Sequence, residues 1–394
     1  MTLPPPEILN SLVARFFRAD DITLGGEGHP FLVRYRGQLL DDDSAAAYDR
    51  LAEALAPYDV LPLFRREKDG RQAIILIPAL PQGKPARLWV NALMFGLTVV
   101  SVLFAGAQPE GPLPSDMGGQ LLAWVKAIPS GWPFAVSLLS ILLAHEFSHY
   151  LMTRVHKTRA TLPFFIPFLP PLGTMGAFIS MQEPPRNKRA LFDIGVAGPL
   201  GGMLVAIPVL LLGLRLSSLD TVQAVQGTML EGNSLLYLLA KYITFGRLLP
   251  APVDMHGLSP LLYWLAYFFS GNPAPIGGTD VFIHPVAFAG WAGILVTSLN
   301  LIPLGTLDGG HVLYSVFGER ARKVFPFFVG ALALLGFFWS GWWLWVVLLL
   351  WLGQRYAEPL DTITPLDRPR KLVAFFVLIL FLLVFTPVPM VLLG

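Results

Sequence analysis

The chain of 394 residues contains no cysteine. That excludes disulfide frameworks, thiolate zinc sites, iron–sulfur clusters and cysteine nucleophiles, so any metal must rest on His, Asp or Glu. Charge is scarce as well. Only 14% of residues are Asp, Glu, Lys or Arg, against roughly a quarter in soluble domains. The 28 basic and 26 acidic residues leave a net charge of +2. No basic stripe interleaved with aromatics is present, so nucleic acid is not an expected partner. The Pro-rich Met1–Leu12 region has no apolar core behind a basic start, and neither a signal peptide nor an Arg-rich transit peptide is expected there.

What the chain has in excess is apolar surface: 54% of residues are hydrophobic. The charges it does carry are crowded at one end. Residues 1–87 hold 11 Lys/Arg and 12 Asp/Glu, or 23 of the 54 charged residues. This stretch reads as a small soluble α/β domain. It has a helix near Glu7–Phe17, an amphipathic helix over Ser44–Ala56 capped by Asp43 or Ser44, and strands near Val60–Arg65 and Gln72–Pro78. Lys68-Asp69-Gly70 between the strands is a hairpin signal.

The remainder predicts a polytopic α-helical membrane protein. A transmembrane helix needs about 20 mostly apolar residues, and the stretches 88–106, 131–155, 190–214, 284–304 and 372–393 approach or meet that length. The run Val324–Gly353 is too long for one crossing, and Ser340-Gly341 in its middle predicts two helices folded back on each other. The count is seven crossings, or five plus a re-entrant pair. The division expected is 1–87 soluble, 88–320 a transmembrane core with an outer-side insertion at 217–282, and 321–394 further helices. Cytoplasmic loops collect Lys and Arg. Arg65, Arg66, Lys68, Arg71, Lys84 and Arg87 therefore put the amino terminus inside, and Arg154 to Arg159 and Arg186 to Arg189 do the same for 156–189.

Inside the second apolar span lies His145-Glu146-Phe147-Ser148-His149, an HExxH sequence. Residues i and i+4 share a helix face, so both imidazoles can meet one cation, and Glu146 can reach a water beside it as general base. Three ionisable groups at bilayer depth are costly and point to function. The alternative is that they only hydrogen-bond within a bundle.

Zinc needs a third protein ligand and an open position. The fourth span, running in the same direction as the second, ends in Asn300-Leu-Ile-Pro303-Leu-Gly-Thr-Leu-Asp308-Gly309-Gly310-His311 and delivers Asp308 to the same leaflet. Pro303 and the glycine pair break the helix there. Asp308 can alternatively cap a short helix over Gly310–Phe317. His156 does not fit metzincin spacing, and Glu183 is expected to be solvated. Asp193 and His311 are candidates for holding a ligand imidazole by its other nitrogen. His256 and His284 fall on the outer side. A transporter or metal-permeation protein using His145, Glu146, His149 and Asp308 as an ion path is the alternative function.

With HEFSH and the Asn300–Gly309 segment in view, the sequence resembles the M50-type site-2 protease family of intramembrane zinc metalloproteases. HEFSH is similar to its HExxH helix, and Asn300–Gly309 to its NPxxxLDG-type segment. The resemblance covers roughly 131–320 and implies His145, His149 and Asp308 as ligands of one Zn2+ ion. It further implies Glu146 as catalytic base and Asn300 as a residue that holds substrate or polarises the scissile carbonyl. Gly195-Val-Ala-Gly198-Pro199 resembles the family's core helix of small residues. Leu301 departs from the Pro that many members carry after the asparagine, and no PDZ-like stretch is visible. The likeness is greatest to the PDZ-lacking, EGY-related bacterial and plastid branch, and the expected absence of a transit peptide favours a bacterial cell membrane. Transmembrane protein substrates in a lipid bilayer are the implied partners, and none is implied for residues 1–87. Gly173–Ser180 has the look of a β-hairpin edge that can pair with an extended substrate.

Overall fold

The structure is a computed structural model that describes residues 5–26, 29–67, 69–79, 87–223, 225 and 229–393. The first part runs α1 (Pro6–Val13), β1 (Phe17–Leu24), β2 (Val33–Leu39), α2 (Ser44–Leu55), β3 (Val60–Arg66) and β4 (Gln72–Pro78). The four strands form an antiparallel sheet in the order β1-β2-β4-β3. Asp43 caps α2 by accepting from the Ala46 N–H at 3.2 Å, as its short side chain ahead of an alanine run suggests. Leu51 and Leu55 of that helix pack with Phe64 and Ile74 of the sheet, all fully buried.

The helix expected over Glu7–Phe17 stops at Val13, because Phe17 is drawn into the sheet core and opens β1. The strands β1 and β2 have no counterpart among the elements expected from the sequence. Asp20-Asp21 and a bulge between Ala19 and Asp21 break the alternation that marks a strand. Lys68 and Lys84 lie outside the described residues; Gly70 has φ +88°, and the Glu67 N–H donates to the Arg71 carbonyl across the turn.

The helical part comprises α3 (Leu88–Ala105), α4 (Met117–Ala127), α5 (Trp132–Val155), a hairpin of β5 (Phe164–Pro167) and β6 (Thr174–Phe178), and α6 (Lys188–Arg215). Then follow β7 (Ser218–Thr221), β8 (Met229–Glu231), α7 (Leu235–Phe245), α8 (Pro260–Ser270), β9 (Thr279–Phe282) and α9 (Pro285–Asn300). The chain closes with α10 (Asp308–Phe317), α11 (Phe325–Leu335), α12 (Gly341–Leu352), α13 (Arg368–Val384) and β10 (Met390–Leu392). Among the described residues three helical stretches, Leu88–Ala105, Met117–Val155 and Lys188–Arg215, are long and apolar enough to cross a membrane. Outward residues such as Leu97, Leu204, Val347 and Phe375 are exposed. Apolar surface in that quantity suits lipid better than water.

The break expected at Ser340-Gly341 is present, and α11 and α12 pack against each other. The helix expected over 372–393 instead ends at Val384. Pro387 and Pro389 follow, neither able to donate to a helical carbonyl, and β10 turns away to pair with β8.

Helices α5, α6 and α9 form the centre, and glycines set their spacing. A Cβ on Gly213 would sit 2.1 Å from the Ala287 nitrogen, and one on Gly293 would sit 2.8 Å from Ile141. Backbones this close exchange volume for dispersion contact, which is how helices associate where no water is available to drive them together.

The sheet also has an unexpected neighbour. Phe64 of the edge strand β3 donates to the Leu360 carbonyl at 3.0 Å and accepts from Thr362 at 3.0 Å. Leu360 and Asp361 donate in turn to the carbonyls of Pro185 and Arg186, just before α6. Residues 360–362 thus bridge the sheet to the helical part, and Ile363 joins the sheet's core.

Candidate metal centre

His145 and His149 sit four residues apart on α5, and both are nearly fully buried. Asp308 is the first residue of α10, and its carboxylate turns toward the histidine pair. The His145 and His149 Nε2 atoms are 3.2 Å apart, and Asp308 Oδ2 is 3.2 Å from the first and 3.3 Å from the second. Among the described residues this is the one group of three His, Asp or Glu whose donor atoms all lie within 4.8 Å.

A tetrahedral zinc ion with bonds of about 2.0–2.1 Å separates its ligand atoms by about 3.3 Å. The protonation pattern agrees. His149 Nδ1–H donates to the Ile194 carbonyl of α6 at 2.7 Å, so a neutral ring presents its Nε2 lone pair to the cluster. Two imidazole nitrogens and a carboxylate oxygen are a donor set zinc accepts.

Helix α6 is shaped around the pair. A Cβ on Gly198 would lie 2.0 Å from His149 Nε2, one on Gly202 3.1 Å from His145 Nδ1, and one on Gly201 2.0 Å from Ser148 Oγ. The small residues noted in 195–199 therefore make room for the site itself. Gly202 and Ile194 escaped the sequence argument; glycine spacing along one face was the available signal for the first, and a backbone carbonyl leaves none.

The cluster opens into a cavity of about 490 Å³. Glu146, 4% exposed, stands at its base beside the histidines, with the backbone of Ile179 alongside its carboxylate. One wall is the end of β6 and the residues after it, Ala177 to Met181, and the other is Asn300 with the Thr306–Asp308 turn and His311. The Asn300 amide lies 3.4 Å from His145 Nε2.

Two expectations are corrected. Asp193 does not hold a ligand imidazole. It accepts from His156 Nε2 at 2.9 Å and from the Arg370 guanidinium at 2.6 and 2.8 Å, tying together α5, α6 and α13. The reason is angular: successive helix residues point about 100° apart, and it is the neighbouring Ile194 that faces His149. His311 likewise bonds to no ligand imidazole; its Nδ1 has no partner among the described residues. Glu183 is partly buried and accepts from the Arg159 N–H. His256 pairs with Asp254, and His284 caps α9, both outside the cluster.

An HExxH helix completed by a carboxylate from a second helix, sunk among apolar helices, is the architecture of a membrane metallopeptidase. Sequence comparison supplies the family. The model of peptidase family M50 matches residues 133–340, and the chain belongs to that family. Among its relatives, the probable zinc metalloprotease EGY1, chloroplastic, of Oryza sativa subsp. japonica is 32% identical over 278 residues, 64% of this chain and 42% of that protein. EGY1 of Arabidopsis thaliana is 27% identical over 92% of this chain and 66% of its own length. EGY2 of the same plant is 26% identical over 84% and 55%. The chain thus spans less than two thirds of the length of each of these relatives. All three are chloroplastic proteins, so these relatives do not support the expectation of a bacterial cell membrane. The ion-path alternative is not favoured by any of these likenesses.

Proposed function

We propose that the protein is a zinc metalloendopeptidase that hydrolyses peptide bonds in or near transmembrane segments of membrane proteins, as in regulated intramembrane proteolysis. The observation that carries this is the convergence of His145, His149 and Asp308 beside Glu146 in one cavity. In this reading the first three residues hold one Zn2+ ion, and Glu146 and Asn300 act on the substrate. When bound, such an ion acts as a Lewis acid and brings the ionisation of water near neutral pH.

The residues then divide the work. Glu146 takes a proton from the attacking water and returns it to the leaving amine. Asn300, with its amide beside His145, donates to the carbonyl oxygen as charge builds there. His149, its tautomer held by Ile194, keeps a lone pair directed at the cluster. A helical peptide bond is shielded and already hydrogen-bonded, so the substrate must unwind before attack. The β5–β6 hairpin ends at the cavity wall, and in this reading its edge receives the extended strand through backbone hydrogen bonds.

The domain division at residues 87 and 320, seven crossings with the 324–353 hairpin, and a cytoplasmic amino terminus belong to the same proposal; the last is supported by the Lys and Arg flanking the spans. The experiment is cleavage of a single-pass model substrate by purified protein. Wild type should cut it, and Glu146→Gln should retain zinc and lose cleavage. Unchanged cleavage by that variant would remove Glu146 from the mechanism.

A further inference from the structure

The cavity contains a second, unused imidazole. His311 lies one helical turn beyond Asp308 on α10, so the two side chains share a face, and His311 lines the same cavity as Glu146 and Asn300. It is 8% exposed, and its Nδ1 is shut off from solvent with no hydrogen-bond partner among the described residues. Space has been made for it, since a Cβ on Gly195 would come within 2.8 Å of the His311 Cβ.

A buried nitrogen left unpaired costs about 1–3 kcal/mol. Each such group in a native structure calls for an explanation, and a catalytic role is among those it can have. A packing role alone is better filled by Leu, which has similar bulk and no polar atom to desolvate. Nor is the ring part of the metal group, which comprises His145, His149 and Asp308. In the protease reading the cavity receives a peptide backbone, whose carbonyl oxygen can accept from an imidazole N–H.

We infer that His311 is a catalytic residue: when substrate binds, the ring turns so that its unpaired N–H faces the cavity and donates a hydrogen bond to the carbonyl oxygen of the bond being cut, sharing that oxygen with the Asn300 amide. This rests on the protease reading above. It adds that the Asn300–His311 wall supplies two donors, one from each end of the broken helix segment, to the side of the carbonyl where negative charge develops. Preorganised donors of this kind strengthen as that charge grows, so their loss falls on kcat rather than on KM. The imidazole acts only as a hydrogen-bond donor and transfers no proton.

The test uses the full chain in detergent with the single-pass model substrate, comparing wild type, His311→Leu, His311→Gln and Glu146→Gln. Zinc content and thermal unfolding of each are measured beside cleavage. The inference expects His311→Leu to keep wild-type zinc and unfolding temperature, to lose about 100-fold in kcat, and to hold KM within about threefold. His311→Gln, whose amide can still donate, should regain part of kcat. Substrate capture by Glu146→Gln should survive addition of His311→Leu, because ground-state binding does not use this bond. Wild-type kcat in His311→Leu would overturn the inference, as would loss of zinc with activity or a change confined to KM. If the wild type cleaves nothing, it is the protease reading that fails; if the wild type cleaves, Glu146→Gln is inactive and His311→Leu keeps the wild-type kcat, only the role of His311 falls.

Discussion

His149 donates from Nδ1 to the Ile194 carbonyl at 2.7 Å, and Gly198, one turn further along the same helix, leaves open the space that its Nε2 occupies. One helix thus holds the ring from one side and clears the other. Ligand orientation by such neighbours is commonly worth 10–100-fold in metal affinity. Gly198→Ala would place a carbon 2.0 Å from Nε2, so the ring or the helix has to move. Zinc affinity should fall at least about tenfold, read by competition with a chelator. Gly330→Ala is the control: nothing lies within 4 Å of its new carbon, and the change should leave zinc binding untouched.

Arg65 adds side-chain hydrogen bonds to the contact between the sheet and the helical part. Its Nη1 donates to the carbonyls of Pro359 at 3.0 Å and Leu360 at 2.7 Å, while the backbone of Phe64 pairs with the same segment. Charged hydrogen bonds of this sort contribute about 1.5–3 kcal/mol together with their desolvation. Arg65→Ala should speed amide exchange at Leu360 and Thr362 without altering zinc content. Exchange at the wild-type rate would show that the strand pairing holds the segment unaided.

Burial pushes the Asp361 carboxyl above its usual range, although Thr364 and the N–H groups of Ile363 and Thr364 donate to it. A carboxyl whose folded pKa is raised binds protons more tightly in the folded state. Its contribution to stability is therefore fullest below the unfolded value of 3.8 and declines as pH rises through the folded value. Asp361→Asn, which keeps an acceptor and carries no charge, should lack this decline. Unfolding temperatures of the two proteins should diverge in favour of the variant as pH rises from 4 to 7. Parallel curves would contradict the assignment.

On the far side of the fold, Lys241 is fully buried, 3.1 Å from Asp280 and 3.6 Å from Glu231, with Nζ 4.5 Å from the Tyr237 ring centre. Removing the one cation strands two carboxylates. Lys241→Met should cost about 3–5 kcal/mol, measured by thermal unfolding in detergent, and adding Asp280→Asn with Glu231→Gln should recover most of it. Failure to recover would mean that packing of the lysine stem outweighs its charge.

The parts of this protein that were legible beforehand share a cause. HExxH spacing, the Asp43 cap and the break at Ser340-Gly341 are local rules, carried by residues within a turn or two of each other. Asp308 was reachable because span direction places it in the same leaflet as His145. What was not legible depends on partners distant in sequence. Asp193 pairs with Arg370, 177 residues away, rather than with a ligand. Residues 360–362 carry no strand signal of their own until β3 is there to pair with them, and β10 is read as helix until β8 is. Backbone carbonyls such as that of Ile194 have no residue signature at all.

The central claim is that two imidazoles from α5 and one carboxylate from α10 share a single metal ion. Zinc per chain, measured by elemental analysis of the purified protein, tests it most directly. The account predicts about one equivalent in wild type and in Glu146→Gln, and near-complete loss in both His149→Ala and Asp308→Ala. Full zinc retention in Asp308→Ala would contradict it.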